Sequence, residues 1–197
     1  MRVRHLAAPG LAALLCACGG SAGTTVTGNL RGSPLPVADS LSSNVNIRAG
    51  NTTLNLGAIV ISTMSNLCTN LSAAKETKNA RTLLFFVGDY NAGTQSATAP
   101  AVAGTYVVSS ASGAGGAPPA KFALVTYQET DASCQGIDAS RASGASGTIT
   151  LTSANSGSYA GSFDVTFNDQ DHVTGTFGAT NCPGLQASVD ANTITCM

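Results

Sequence analysis

The last third of the chain alternates. Phe163, Val165 and Phe167 take every second position of one segment and Val173, Gly175 and Phe177 of the next, with Asn168-Asp169-Gln170-Asp171-His172 between them. Successive side chains of a strand point to opposite faces, so each segment has one apolar and one polar face. A slip of one residue in their pairing would bring Phe and Thr to the same side. A turn at Asp169-Gln170-Asp171 then sets Phe167 opposite Val173, Val165 opposite Gly175 and Phe163 opposite Phe177. The preceding segment follows the same logic, with Ile149 and Leu151 matching Gly161 and Tyr159 around a tip at Ala154-Asn155-Ser156. Residues 147–178 are therefore expected to form a three-stranded antiparallel meander in which Gly161 and Gly175 leave room for aromatic neighbours.

Period two also governs the segments before it. Thr24 to Leu30 has Val26 and Leu30 as its apolar points; Thr53 to Ser62 carries Leu54, Leu56, Ile59 and Ile61 and changes phase at Gly57, where a bulge is expected. Leu83-Leu84-Phe85-Phe86-Val87 is apolar on both faces and reads as a strand buried on both sides. One segment departs from the pattern. Residues 66–78 place Leu67 and Leu71 four apart after a capping residue at Ser65 or Asn66 and end on Lys75 and Lys78, which predicts a short helix. The stretches Asn91–Pro100 and Ala111–Pro119 read as surface loops. About nine short strands and one short helix imply an all-β fold, an antiparallel β-sandwich or a small β-barrel, and the pattern does not separate the two. Only 10% of residues are charged, which suits outward faces covered by Thr and Ser.

The chain opens with the cationic Met1-Arg2-Val3-Arg4-His5 and continues with an apolar run, Leu6 to Leu15. That run is too short to cross a bilayer as a helix, which takes about 20 residues, and reads as an export signal. It leads into Leu15-Cys16-Ala17-Cys18-Gly19, which resembles the lipobox of bacterial lipoproteins: Leu at −3, a small residue at −1 and the modified cysteine at +1. The resemblance implies cleavage before Cys18, a signal over 1–17 and an acylated Cys18 holding the chain to the lipid bilayer, since stable anchoring takes two lipid signals. Cys16 departs from the pattern at −2, where Ala, Ser or Thr is usual. Gly19 after the anchor favours the outer membrane by the sorting habit of some bacteria. Residues 18–25 form a tether and 26–197 one β domain. Arg2 and Arg4 leave with the signal, so seven basic residues stand against ten acidic ones, a net charge of −3 that argues against nucleic acid as a partner. The motifs Thr25-Val26-Thr27-Gly28, Asn66-Leu67-Cys68, Asp131-Ala132-Ser133-Cys134, Gly161 to Phe167 and Val173 to Phe177 also resemble a group of short secreted bacterial lipoproteins to which no activity is assigned.

Four cysteines remain: Cys68, Cys134, Cys182 and Cys196. An even count in an exported chain implies two disulfides, with three possible pairings. Spacing favours Cys182 with Cys196, which leaves Cys68 with Cys134. Histidines are too few for a metal site, and no cofactor is expected.

Catalytic chemistry has little to build on. His172 is the single histidine of the mature chain and could join Asn168, Asp169, Gln170 and Asp171 in a hydrolytic or calcium-binding cluster, but the spacing lacks the Gly and Glu of a calcium loop. A polar turn explains the same residues. Gly113-Ala114-Gly115-Gly116 lacks the Lys-Ser/Thr of a phosphate loop. Glu129 and Asp131 could act as paired carboxylates or guard a sheet edge. Phe85, Phe86, Tyr106, Phe122, Tyr127, Phe163 and Phe177 could line a lipophilic cavity or fill a core. The expectation is a non-enzymatic, membrane-anchored envelope lipoprotein, a binding or structural module whose partner is an envelope protein or a small hydrophobic ligand. A carrier of small hydrophobic molecules within a barrel is the alternative, and a hydrolase using His172 has the least behind it.

Overall fold

In a computed structural model, residues 23–49, 52–110, 117–191 and 195–197 are described. Cys18, the signal 1–17 and Gly113 to Gly116 lie outside them. Twelve strands, two helices and one 3-10 turn follow in the order β1 (Thr25–Gly28), β2 (Asp39–Ala49), β3 (Thr52–Ser62), α1 (Leu67–Ser72), β4 (Lys75–Glu76), β5 (Arg81–Asn91), β6 (Ser96–Thr98), β7 (Gly104–Val108), β8 (Lys121–Glu129), the turn Asp138–Ser140, β9 (Ala142–Asn155), β10 (Ser158–Phe167), β11 (His172–Asn181), α2 (Gly184–Asp190) and β12 (Thr195–Cys196). β6 lies within the expected loop 91–100 and pairs with β5.

The sheet closes on itself. Strands β2-β3-β5-β8-β7-β9-β10-β11 form a ring whose last member pairs back to β2, so the all-β fold is a closed eight-stranded barrel rather than a sandwich. The pairs are antiparallel except β7 with β8 and β11 with β2. That seam between β11 and β2 is short, with only Thr180↔Leu41 and Asn181↔Ser42 in register. The free remainder of the β11 edge is taken by β1. Ser42 reinforces the seam from within: its buried hydroxyl lies 2.8 Å from the Gly157 carbonyl and 2.9 Å from that of Ala179, and accepts the Tyr159 N–H.

The meander β9-β10-β11 forms, with its faces as expected and its register two residues away. Phe163 lies opposite Gly175, Val165 opposite Val173 and Phe177 opposite Gly161; likewise Leu151 meets Gly161 and Ile149 meets Phe163. A two-residue slip keeps every side chain on its face, so alternation alone is blind to it. Steric fit decides: a Cβ on Gly175 would come within 2.6 Å of the Phe163 ring, so the small residue must sit where the ring lies. The β9–β10 tip is the two-residue turn Ser156-Gly157, both with positive φ (48° and 89°), the conformation that matches strand twist in tight hairpins. Gly57 makes no bulge, since β2 and β3 stay in register along their whole length. The phase change there marks the point where β3 becomes buried on both faces, and Gly57 itself accommodates the Tyr159 ring.

Inside the barrel, Phe85, Tyr106, Tyr127, Tyr159, Phe163, Phe167 and Phe177 pack with aliphatic residues, none more than 3% exposed. Phe85 stacks on Phe163 and Phe177 at centroid distances of 5.0 and 6.1 Å. Burial raises the phenol pKa of both Tyr127 and Tyr159 to about 12. One barrel end is covered by the crossing between β1 and β2, whose Leu30 and Leu35 enter the core. Arg81 holds that crossing by donating to the carbonyls of Leu30, Ser33 and Pro34, and its Nε–H also donates to the Tyr127 hydroxyl at 2.6 Å.

A second apolar layer lies outside. Leu41, Val45, Ala58, Val60, Met64, Leu67, Ala80, Cys182 and Leu185 pack between the wall β2-β3-β5 and the two helices. α1 is shorter than the expected 66–78: the Asp39 carboxylate caps the Leu67 N–H at 2.9 Å, and Ala74, at φ 49°, ends the run. Lys75 and Glu76 then extend as β4 alongside β12. The disulfides are Cys68–Cys182 and Cys134–Cys196, not the expected Cys68–Cys134 and Cys182–Cys196. The reason lies in α2. This helix packs on α1 and puts Cys182 beside Cys68, while the chain beyond returns to β4 and carries Cys196 to Cys134.

Candidate binding groove on the outer wall

The residues singled out for catalysis are dispersed. His172 Nε2 meets Asp164 Oδ1 at 2.8 Å on the exposed face of β10 and β11, not Asp169 or Asp171. Those two carboxylates hold Arg31: Asp169 Oδ2 pairs with its guanidinium at 3.0 Å and Asp171 Oδ2 accepts its backbone N–H at 2.6 Å. Arg31 also donates to the carbonyls of Ser140 and Arg141, so the polar turn fastens the crossing between β1 and β2. Glu129 and Asp131 are likewise separated by role. Glu129 accepts from Arg81 and Tyr127, whereas Asp131 Oδ1 accepts the backbone N–H groups of Ser133 and Gln135 in a local turn. Among the described residues no cluster of three or more His, Cys, Asp and Glu is arranged to hold a metal ion.

The seven aromatics divide into two sets. Phe85, Tyr106, Tyr127, Phe163 and Phe177 fill the barrel, and Phe86 and Phe122 face outward from β5 and β8. Toward the end of the barrel away from Arg81, Lys121 Nζ bonds Asp89 Oδ1 at 2.8 Å and the Tyr106 hydroxyl at 3.3 Å, and its ammonium lies 4.9 Å from the Tyr106 ring centre. The Asp89 contact raises the Lys121 pKa, and burial raises that of Tyr106.

Concave space lies instead on the outer wall, beneath the segments that the disulfides staple. The first part, about 150 Å³, is lined by Val60, Met64, Leu67, Leu71, Ala80 and Leu84 together with Glu76, Thr77, Thr82, Thr126, Gln128 and Thr130. The second, about 250 Å³, runs toward α2 and is lined by Ala58, Phe86, Leu185, Ser188 and Val189, and shares Val60, Leu71, Glu76, Thr82 and Leu84 with the first. The shared residues set the two parts side by side along one wall, together the outer-wall groove. Its floor is the outward face of β3 and β5, and its sides are α1 with β4 and, further along, α2. Glu76 is half-buried and its pKa is raised by the loss of water around the carboxyl. Drug-sized ligands take pockets of about 300–1,000 Å³, so either part alone suits something smaller or narrower.

The groove escaped the sequence reading although one signal pointed toward it. Leu84 and Phe86 make β5 apolar on its second face, and that face needs a cover. Seven-residue α2 carries too little periodicity to announce itself as that cover. No protein-family model, no curated protein and no solved structure matches the chain.

Proposed function

We propose that this is a non-enzymatic binding module of the bacterial envelope, anchored to the outer membrane through acylated Cys18, and that it takes a small apolar ligand in the outer-wall groove. The observation that carries the reading is the groove itself, an apolar trough with a few converging polar groups, built on a rigid barrel wall and roofed by disulfide-linked segments. The carrier alternative becomes the same proposal with the ligand outside the barrel, because aromatic rings fill the interior. His172 lines neither part of the groove and instead meets Asp164 on the exposed face of β10 and β11. Among the described residues no helix is long and apolar enough to cross a membrane. The proposed attachment rests on the Leu15-Cys16-Ala17-Cys18 resemblance.

Anchoring is tested by the intact mass of protein extracted from membranes. A mass starting at Cys18 with acyl additions is expected, and an unmodified chain beginning elsewhere would refute it. Binding is tested on the exported, oxidised chain carrying Cys18→Ser, which stays unacylated and avoids competing detergent. Octanol should bind saturably, with Kd between about 10 μM and 1 mM, since each buried CH₂ is worth about 0.8 kcal/mol before association costs. Leu84→Arg, which sets a charge on the groove floor, should reduce that affinity at least about tenfold and leave the barrel folded. Equal binding by Leu84→Arg would place the ligand elsewhere.

A further inference from the structure

We propose that the ligand of this groove is a short cationic amphiphile, an apolar tail bearing a protonated amine, with Glu76 as the partner of its head. The inference rests on the groove reading above and adds the chemistry of the ligand. Glu76 lines both parts of the groove and, among the described residues, is the only ionisable side chain that does so. Among the described residues no cation pairs with its carboxylate and no side chain donates to it. Its backbone carbonyl accepts the Met197 N–H where β4 pairs with β12. A half-buried carboxylate without a partner is costly, and a cation entering beside it recovers that cost.

The lining also gives the ligand a direction. Thr77, Thr126, Gln128 and Thr130 surround the end of the groove near β8, whereas Ala58, Phe86, Leu185 and Val189 form the end toward α2. An ammonium has three N–H donors, so one can go to Glu76 and the others to threonine or glutamine oxygens, with the tail running toward α2. An anionic head would meet Glu76 with no positive group among the described lining residues to offset it. Among the described residues no other charged side chain lines either part. α1 and β12 contain no ionisable side chain that titrates, Arg81 and Glu129 pair with each other, and Asp89 pairs with Lys121. Asp190 lines a separate surface groove with Arg48, and Lys75 and Lys78 flank Glu76 along the chain without lining either part.

The test compares octylamine, octanol and octanoate, each below its aggregation concentration, as competitors of neutral N-phenylnaphthylamine on the oxidised Cys18→Ser chain. Octylamine should bind about tenfold more tightly than octanol at neutral pH, and octanoate more weakly than either. Glu76→Gln should remove the amine preference, so that octylamine and octanol compete alike, with an unchanged melting curve as the check on folding. Lowering the pH through the raised Glu76 pKa protonates the carboxyl, so amine affinity should fall while octanol affinity holds. If octylamine and octanol compete equally, or if the preference survives Glu76→Gln, the cationic ligand is wrong and the groove stands. If none of the three competes and the probe itself does not saturate, the groove reading fails with it.

Discussion

Replacing Cys68 and Cys182 together by alanine is expected to cost the chain about 3–5 kcal/mol. The bridge joins residues 114 apart in sequence, and in the chain-entropy picture a closed loop of that length removes more freedom from the unfolded ensemble than a short one. It is also local glue. Cys182 is buried in the outer apolar layer with Leu67 and Leu185, so the bridge fixes α1 to α2 over the wall. Neither helix exceeds seven residues, and helices so short do not persist in water without tertiary support. Urea unfolding of the oxidised double variant should therefore show a lower midpoint, and octanol binding should weaken well before the barrel is lost. A change below about 1 kcal/mol, with binding intact, would mean that the groove does not depend on the staple. The other bridge, across 62 residues, ties β12 and thereby β4 to the loop after β8 and should act in the same direction.

Phe163→Ala is expected to destabilise by about 3–5 kcal/mol, the range for truncating a fully buried aromatic. Phe163 is 3% exposed, stacks on Phe85 and lies across Gly175. Those contacts bring β5 and the meander together through the middle of the barrel, and Gly175 has no side chain to move into the space left behind. Relaxation is therefore limited, and the lost contacts and the cavity add together. Thermal unfolding measures the effect. A loss under about 1 kcal/mol would indicate that the barrel interior is not packed around this ring and would reopen an internal site for a ligand.

The two expectations differ in how visible they were in the sequence. Alternation at Phe163, Val165, Phe167, Val173 and Phe177 assigned faces correctly, because facing depends only on period two. Register depends on which large residue fits over which glycine, a matter of shape across strands, and there the pattern missed by two. Barrel closure was hidden for a similar reason: it rests on two residues of β2 meeting two of β11 and on the Ser42 hydroxyl, none of which has a local signature. Disulfide connectivity followed three-dimensional adjacency of α1 and α2 rather than spacing along the chain. The groove depends on all of these at once. Leu84 and Phe86 announced an outward apolar face, yet what would cover it, and that Glu76 would stand alone within it, came only from the fold.

The central claim is that the ligand sits outside a filled barrel. Nuclear magnetic resonance titration of the isotopically labelled, oxidised Cys18→Ser chain with octanol tests it most directly. Amide and methyl shifts should move together for Leu71, Glu76, Leu84 and Val189 along the groove, while Tyr106, Ile149, Phe163 and Val165 inside the barrel stay in place. Shifts centred on the interior residues, or none at saturating octanol, would contradict it.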